Sequence, residues 1–324
     1  MDRAIRFESV GGPEVLTLQE VKLPPPSDGQ VKIRHTAIGV NFIDVYHRTG
    51  LYPVPVPSGL GLEAAGVVEA VGPGVREWRT GDRVAYASGP LGAYATAANV
   101  PAGRIVAIPS GVSDEIAAAT LLKGMTAEYL LLRTYPVRKG DTILFHAAAG
   151  GVGQIACQWA KALGAIVIGT VGSKDKIPVA KAAGCDHVIV SREEDIPKRV
   201  RDLTGGAGVP VVYDSVGRDT FLPSLDSLTP LGMFVSFGNA SGPVPPFEPG
   251  LLAQKGSLFF TRPTLATYTA TTELLRQSAH ALFAVLASGS VKIAHPAEFP
   301  LAQAADAHRA LQSRTTTGSL ILKP

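Results

Sequence analysis

Over the first hundred or so residues, apolar and polar positions alternate in short runs: "AIRF", "VKIRHTAIG", "AGVVEAVG" and "DRVAYA", each bounded by Gly or Pro turns. A period of two with such punctuation predicts short strands folded into a sandwich or partly open barrel. From Ser113 the period lengthens. "SDEIAAATLLKGMTAEYLLLRTY" predicts two helical stretches meeting at Gly124, with Ser113 or Asp114 as N-cap. From Asp141 onward, continuous apolar runs ("TILFH", "AIVIGTV", "HVIVS", "PVVYDSV", "MFVSFG", "SLFFTR") alternate with helical segments such as Gly151–Leu163 and Ile196–Thr204. Strands without polar alternation are covered on both faces, which implies a parallel sheet wrapped by helices. A long helix over 272–288 then precedes β-like sequence ending in "GSLILKP", expected to rejoin the first domain. The fold class is α/β. A β-rich domain is expected over residues 1–125, an inserted doubly wound domain over 126–265, and a return to the first over 266–324.

A chain of 324 residues with 46% hydrophobic and 18% charged residues is that of an ordinary globular protein with two cores. Its net charge of +3 is too small to call for a nucleic acid or a membrane surface. The opening "MDRAIRFESV" lacks the apolar segment of a signal peptide, and Lys123 and Glu128 interrupt the longest apolar stretch, so no membrane span is expected. Cys157 and Cys185 form neither a disulfide framework nor a four-ligand metal site, which fits a reducing cytoplasm.

The densest chemistry lies in "HAAAGGVGQIACQWAKALGA", where the strand "TILFH" meets a helix with Ile155, Trp159 and Leu163 on one face. Aligned on the dinucleotide pattern G-x-G-x-x-G, Ala148 takes the first glycine, Gly150 the second and Gly153 the third. Gly150 lets the backbone approach a pyrophosphate and Gly153 lets the helix pack on the strand. Gly150, Gly151 and Val152 open the helix, whose free N–H groups and dipole suit phosphates. An acid about 20 residues on would bind an NAD ribose, but Gly172 stands there, followed by Ser173 and Lys176. These can donate to a ribose phosphate, which favours NADPH. The other reading has Ser173 capping a helix and Lys176 solvating it, and both roles can coexist.

The motifs "GGPEVL", "GVNFIDVYHRTGLYP", "GLEAAGVVEAVGPGV", "GDRVAY", "HAAAGGVG", "VVYDSVG" and "VSFG" span almost the whole chain. Together they resemble the quinone oxidoreductase (zeta-crystallin-like) branch of the zinc-free medium-chain dehydrogenase/reductase superfamily, and bacterial NADPH:quinone reductases in particular. The resemblance implies a GroES-like catalytic domain, a Rossmann domain, a cleft between them, and commonly a homodimer. It places Asn41, Phe42, Asp44 and Tyr46 beside the cofactor, with Asn41 and Tyr46 at the nicotinamide and Tyr52 on the substrate side. It also implies contacts from Thr126, Ser191, Ser215, Phe237, Gly238, Asn239, Phe260, Thr261, Arg262 and Arg314. Close relatives often carry a tyrosine after the third strand, where this chain has Ser191, which hydrogen-bonds but cannot stack.

Zinc-dependent relatives bind catalytic zinc through a cysteine and a histidine among their ligands. Those two positions fall at Asn41 and Leu62, and the four-cysteine structural lobe is missing, so no metal is expected. Without a Lewis acid the acceptor must already be electron-poor. A quinone or an activated enone fits, with Asn41, Tyr46 and Tyr52 as the catalytic candidates. The other reading makes Tyr46 and Tyr52 packing residues with wet hydroxyls. The leading expectation is a cytoplasmic NADPH:quinone oxidoreductase. Reduction of α,β-unsaturated carbonyls is the second reading, and an NADPH-binding structural or RNA-associated protein a third. The absence of a basic tract weighs against RNA.

Overall fold

A computed structural model describes residues 1–313 and 316–324, and the chain divides into two compact units. The first comprises Met1–Lys123, Thr269–Phe283 and Ile293–Pro324; the second comprises Gly124–Tyr268 and Ala284–Lys292.

The first unit is β-rich. Strands β1 (Asp2–Phe7), β2 (Thr17–Val21) and β3 (Gln30–Val40) are followed by helix α1 (Phe42–Thr49). Then come β4 (Ser58–Gly59), β5 (Glu63–Val71), β6 (Arg83–Ala87), β7 (Ala97–Pro101) and β8 (Ile105–Ala107). Helix α2 (Asp114–Tyr129) runs unbroken through Gly124, with Ser113 Oγ accepting from the Ile116 N–H at 3.2 Å. The expected break into two helices is therefore absent: a single glycine costs only about 1 kcal/mol in a helix interior, and the surrounding residues are buried. Beyond it, Leu130–Thr134 form one π-helical turn.

The second unit holds β9 (Thr142–Phe145), α3 (Gly151–Ala162), β10 (Ile166–Val171), α4 (Ile177–Ala182) and β11 (His187–Val190). It continues through α5 (Ile196–Leu203), β12 (Val209–Asp214), α6 (Phe221–Ser227), β13 (Leu228–Ser236), α7 (Gly250–Gln254), β14 (Phe259–Thr261) and α8 (Leu265–Tyr268). Its six strands form a wholly parallel sheet in the order β11-β10-β9-β12-β13-β14. The order reverses between β9 and β12, so ligands are expected beyond the carboxyl ends of those strands. Leu144, Ile168, Ile189, Val212 and Phe234 fill one core with Val200, Phe221 and Leu225 from the helices.

After α9 (Thr272–Ala287), the chain makes β15 (Ala297–Pro300), α10 (Ala304–Ser313) and β16 (Leu320–Lys323). Helix α10 lies in sequence expected to be β-like; Ala304, Ala307 and His308 are its buried stripe, a period of three to four that a strand reading misses. Strand β16 pairs antiparallel with β3, setting Leu320 opposite Val40. The larger sheet thus reads β15-β16-β3-β5-β6-β8, with β7 also pairing β3. Its core combines Val31, Ile33, Ile38 and Val40 with Leu60, Val84, Tyr94 and Leu322.

Candidate active site

In the first unit the predicted residues gather where β3 runs into α1. Asn41 caps the helix: its N–H donates to Asp44 Oδ2 at 2.8 Å, and the Asp44 N–H returns to the Asn41 carbonyl at 3.0 Å. Phe42 and Tyr46 lie four residues apart on one helical face, ring centroids 6.1 Å apart. The chain then folds back so that the Tyr52 N–H donates to the Tyr46 carbonyl at 3.1 Å, and the two rings meet edge-on at 5.1 Å. Phe42, Tyr46 and Tyr52 form one aromatic wall, of which Tyr46 is mostly buried and Tyr52 half-buried.

Asp44 departs from expectation. It is fully buried, and its Oδ2 also accepts from Tyr94 Oη at 2.9 Å. It therefore holds Asn41 and the first turn of α1 in place and does not present its carboxylate to a cofactor. Burial pushes its pKa up to about 7, against the Asn41 N–H, Tyr94 and Lys123, which favour the anion. Behind Tyr94, His308 Nε2 lies 3.1 Å from the phenol oxygen and Arg48 Nη1 lies 3.2 Å from His308 Nδ1. Arg48 can only donate, so His308 accepts at Nδ1 and donates from Nε2 as a neutral imidazole, its pKa lowered to about 3 by burial and Arg48.

Asn41 Nδ2 donates to Glu63 Oε2 at 2.7 Å, and Glu63 Oε1 accepts from the Leu122 N–H at 2.7 Å. Lys123 Nζ stands 3.7 Å from Glu63 Oε2. The Asn41 position thus supplies an amide donor beside a carboxylate and an ammonium, with leucine at the other expected ligand position. Such a donor set does not suit zinc, since leucine offers no ligand and the ammonium would repel the ion. Among the described residues, no three His, Cys, Asp or Glu side chains cluster as metal ligands. The two histidines nearest in sequence do not supply one. His35 contacts the Ala95 carbonyl at 2.7 Å through Nδ1 and Tyr86 Oη at 3.1 Å through Nε2, while His47 packs against Tyr52.

In the second unit, the residues expected to hold a dinucleotide lie at the carboxyl ends of the parallel strands. Gly150 precedes α3, and Gly151 and Val152 form its first turn. A Cβ on Gly153 would sit 2.4 Å from the Ala147 carbonyl and 2.7 Å from Ala148 Cα, so only glycine allows the helix this close to the strand. Ala147, not Ala148, takes the left-handed backbone in the turn, at φ 54°. Ala148 is tolerated at the first glycine position because Gly169 faces it: a Cβ there would come within 2.8 Å of the Ala148 methyl. The glycine inside "AIVIGTV" was the readable sign of this exchange.

Beneath the turn, buried His146 contacts Thr170 Oγ1 at 3.1 Å and Ser224 Oγ at 2.9 Å. Ser224 donates on to Asp214, which also accepts from the Val216 and Gly217 N–H groups and from Thr220 Oγ1. These contacts tie the ends of β9, β10 and β12 together, and the sequence pattern gives no sign of them.

Gly172 follows β10 and is exposed, an added Cβ there would meet nothing within 4 Å, and Ser173 comes next in extended conformation. Lys176 is half-buried at the start of α4, and Lys174 pairs with Glu193 at 2.6 Å. Ser191 Oγ donates to the Val171 carbonyl at 3.2 Å, placing the β11 end beside Gly172. Exposed Arg192 is a further cation on this rim that sequence reasoning missed; "SREED" has the look of a solvated charge run. A Cβ on Gly238 would strike the Ser215 carbonyl at 2.6 Å, so the β12 and β13 loops pass closely, with Phe237 against Phe145 and half-buried Asn239 beside them. Arg262 Nη1 donates to the Ser236 carbonyl at 2.9 Å, next to Thr261. Phe260 is a correction: its ring packs on Phe221, Phe234 and Phe247, so its side chain belongs to the core. Thr126 is buried on α2, and Arg314 lies outside the described residues. A helix N-terminus, a bare glycine cradle and an acid-free strand end together fit a phosphorylated dinucleotide.

Comparison with known proteins identifies the family. Residues 27–139 match the family model for an alcohol dehydrogenase GroES-like domain, and residues 151–281 match that for a zinc-binding dehydrogenase. The chain is 52% identical to a quinone oxidoreductase of Pseudomonas aeruginosa, covering 100% of both. It is 44% identical to a 2-haloacrylate reductase of a Burkholderia species, covering 97% of this chain and 96% of the relative. The crystal structure of Escherichia coli quinone oxidoreductase complexed with NADPH superposes with a TM-score of 0.98 at 50% identity, covering 99% of this chain and 100% of that one.

Proposed function

We propose, from the premise that the chain belongs to the quinone oxidoreductase branch of the medium-chain dehydrogenase/reductase superfamily, that it is a zinc-independent NADPH:quinone oxidoreductase. The observation that carries this is the full-length likeness to a quinone oxidoreductase complexed with NADPH. The open, acid-free end of β10 supports the choice of the phosphorylated cofactor.

When bound, NADPH supplies the hydride; the chain binds, orients and stabilises. Gly151 and Val152 would offer their N–H groups to the pyrophosphate, and Gly172, Ser173, Lys176 and Ser191 would hold the ribose phosphate. Thr126, Ser215, Phe237 to Asn239, Thr261 and Arg262 would border the rest of the cofactor. Asn41, Phe42 and Tyr46 would orient the nicotinamide, and Tyr52 would serve the acceptor. Fixed by Glu63, the Asn41 amide cannot swing as a free rotor, so its orientation is set before ligands arrive. The 2-haloacrylate reductase among the relatives favours a second acceptor class, activated alkenes conjugated to a carbonyl. Family resemblance further suggests a homodimer in the cytoplasm; no helix of the described residues is long and apolar enough to cross a membrane. Anaerobic NADPH oxidation over a panel of quinones and enones, with radical detection, tests the reading. Steady oxidation with quinones is expected, and none with either class would remove it.

Two side chains give sharper tests. Lys176→Ala should weaken NADPH by about 1.5–3 kcal/mol, the range for a charge-assisted hydrogen bond, or about ten- to a hundredfold. NADH affinity should barely move. An equal loss for both cofactors would return Lys176 to solvating the start of α4. Tyr52→Phe should lower turnover with quinones by about 0.5–1.5 kcal/mol while leaving NADPH binding intact. Unchanged turnover across several quinones would make Tyr52 a packing partner of Tyr46 and nothing more.

A further inference from the structure

Lys123 is the least explained charge in the first unit. Its side chain is 8% exposed, yet Nζ has no hydrogen-bond partner, and the Glu63 carboxylate lies 3.7 Å away, beyond hydrogen-bond reach. Glu63 is already engaged, its two oxygens accepting from Asn41 and from the Leu122 backbone. A buried ammonium with three undirected N–H groups is costly unless another acceptor completes it.

The corner is built to hold this arrangement. Gly39 sits inside β3, where a Cβ would come within 2.2 Å of Glu63 Oε2 and 2.3 Å of the Ala118 carbonyl. A central strand gives up a side chain there so that the carboxylate can enter. Glu63 then restrains both Asn41 and the ammonium, fixing a positive charge close to the amide proposed to face the nicotinamide.

We propose that Lys123 is a catalytic residue whose ammonium hydrogen-bonds the acceptor oxygen on which negative charge develops as hydride arrives. The proposal rests on the quinone or enone reduction argued above. In that reaction the acceptor gains a hydride, two electrons with one hydrogen, from NADPH, which leaves as NADP⁺. The acceptor oxygen takes the resulting charge, and a proton from water completes the hydroquinone or the saturated carbonyl. Lys123 gives up no proton; its N–H stabilises the oxyanion, a task that fixed donors perform in a water-poor site. This cation also accounts for an active corner without zinc: the charge is supplied by a side chain.

The test uses 4-nitrophenol, whose phenolate absorbs visibly, bound to the protein saturated with NADP⁺. In the unmodified protein, bound nitrophenol should ionise at least one pH unit below its free value, and Lys123→Met should abolish that shift. Lys123→Arg should keep part of it. Quinone turnover in Lys123→Met should fall about a hundredfold, the usual effect of losing an oxyanion donor, with NADPH affinity unchanged. No binding, or an unshifted ionisation in the unmodified protein, overturns the proposal whether or not the variant folds; so does full turnover in Lys123→Met. A protein that shifts nitrophenol but oxidises NADPH with no acceptor would refute the reductase reading and retain the cation.

Discussion

Gly172→Asp should reverse the cofactor preference by three to four powers of ten. The site accepts the change without strain, because Gly172 is exposed and a side chain there meets nothing within 4 Å. Its backbone is also outside the left-handed region, so an L-residue fits. In the cofactor placement proposed above, an aspartate there would face the ribose. Against a 2′-phosphate it adds repulsion of about 3 kcal/mol, below the ~4 kcal/mol of two unit charges 4 Å apart at an effective dielectric of 20. Toward the free hydroxyls of NADH it adds a charged acceptor, about 1.5–3 kcal/mol. The two effects act on opposite cofactors, so the ratio of affinities moves by roughly 5 kcal/mol, at 1.4 kcal/mol per tenfold. Titration of both proteins with both cofactors reads this directly. A ratio that shifts by less than tenfold would place the phosphate away from the end of β10.

The second large effect concerns stability. Asp44 ionises near pH 3.8 in an unfolded chain and at about 7 in the fold, because burial raises it more than its hydrogen bonds lower it. Between those values the native protein holds a proton that the unfolded chain has lost. Stability from this group is therefore complete below pH 3.8, falls as the pH rises, and is gone above about 7. The span is worth about 4 kcal/mol at 1.36 kcal/mol per pH unit. Asp44→Asn keeps an oxygen for the Asn41 N–H and Tyr94 but does not titrate. Relative to wild type, the variant should gain about 4 kcal/mol between pH 4 and pH 8 in denaturant unfolding. A difference that stays flat would mean that the backbone N–H, Tyr94 and Lys123 together keep Asp44 ionised throughout.

Both effects show where the chain was legible. The acid-free strand end at Gly172 is local, carried by the pattern around one turn, and the parallel strands announced themselves as unbroken apolar runs. Asp44 was visible only as one polar residue in "NFIDVYHRTGLY". Its partners Tyr94 and His308 come from distant positions, and no periodicity links them. Helix α1 was missed for a related reason: its residues are conspicuous for their chemistry, and eight of them make a short amphipathic signal. Likewise Lys123 reads as a polar break in an apolar helix until Glu63 and Gly39 are seen beside it. Local geometry can be read along a chain, but buried polar pairs are settled by tertiary contacts.

The pairing of β16 with β3 has a kinetic meaning. Val40, Gly39 and Ile38 find their partners Leu320, Ile321 and Leu322 only after the main segment of the nucleotide-binding unit has been synthesised. The loop that must close is long, and such non-local pairings form late in folding. The nucleotide-binding unit, with its successive strand–helix–strand steps, needs few contacts of this span and is positioned to fold first during translation. Until β16 docks, the stretch of β3 carrying Gly39 and leading into Asn41 lacks one neighbour. Nascent chains should therefore acquire protease resistance in the nucleotide-binding unit while residues 38–41 remain open to cleavage.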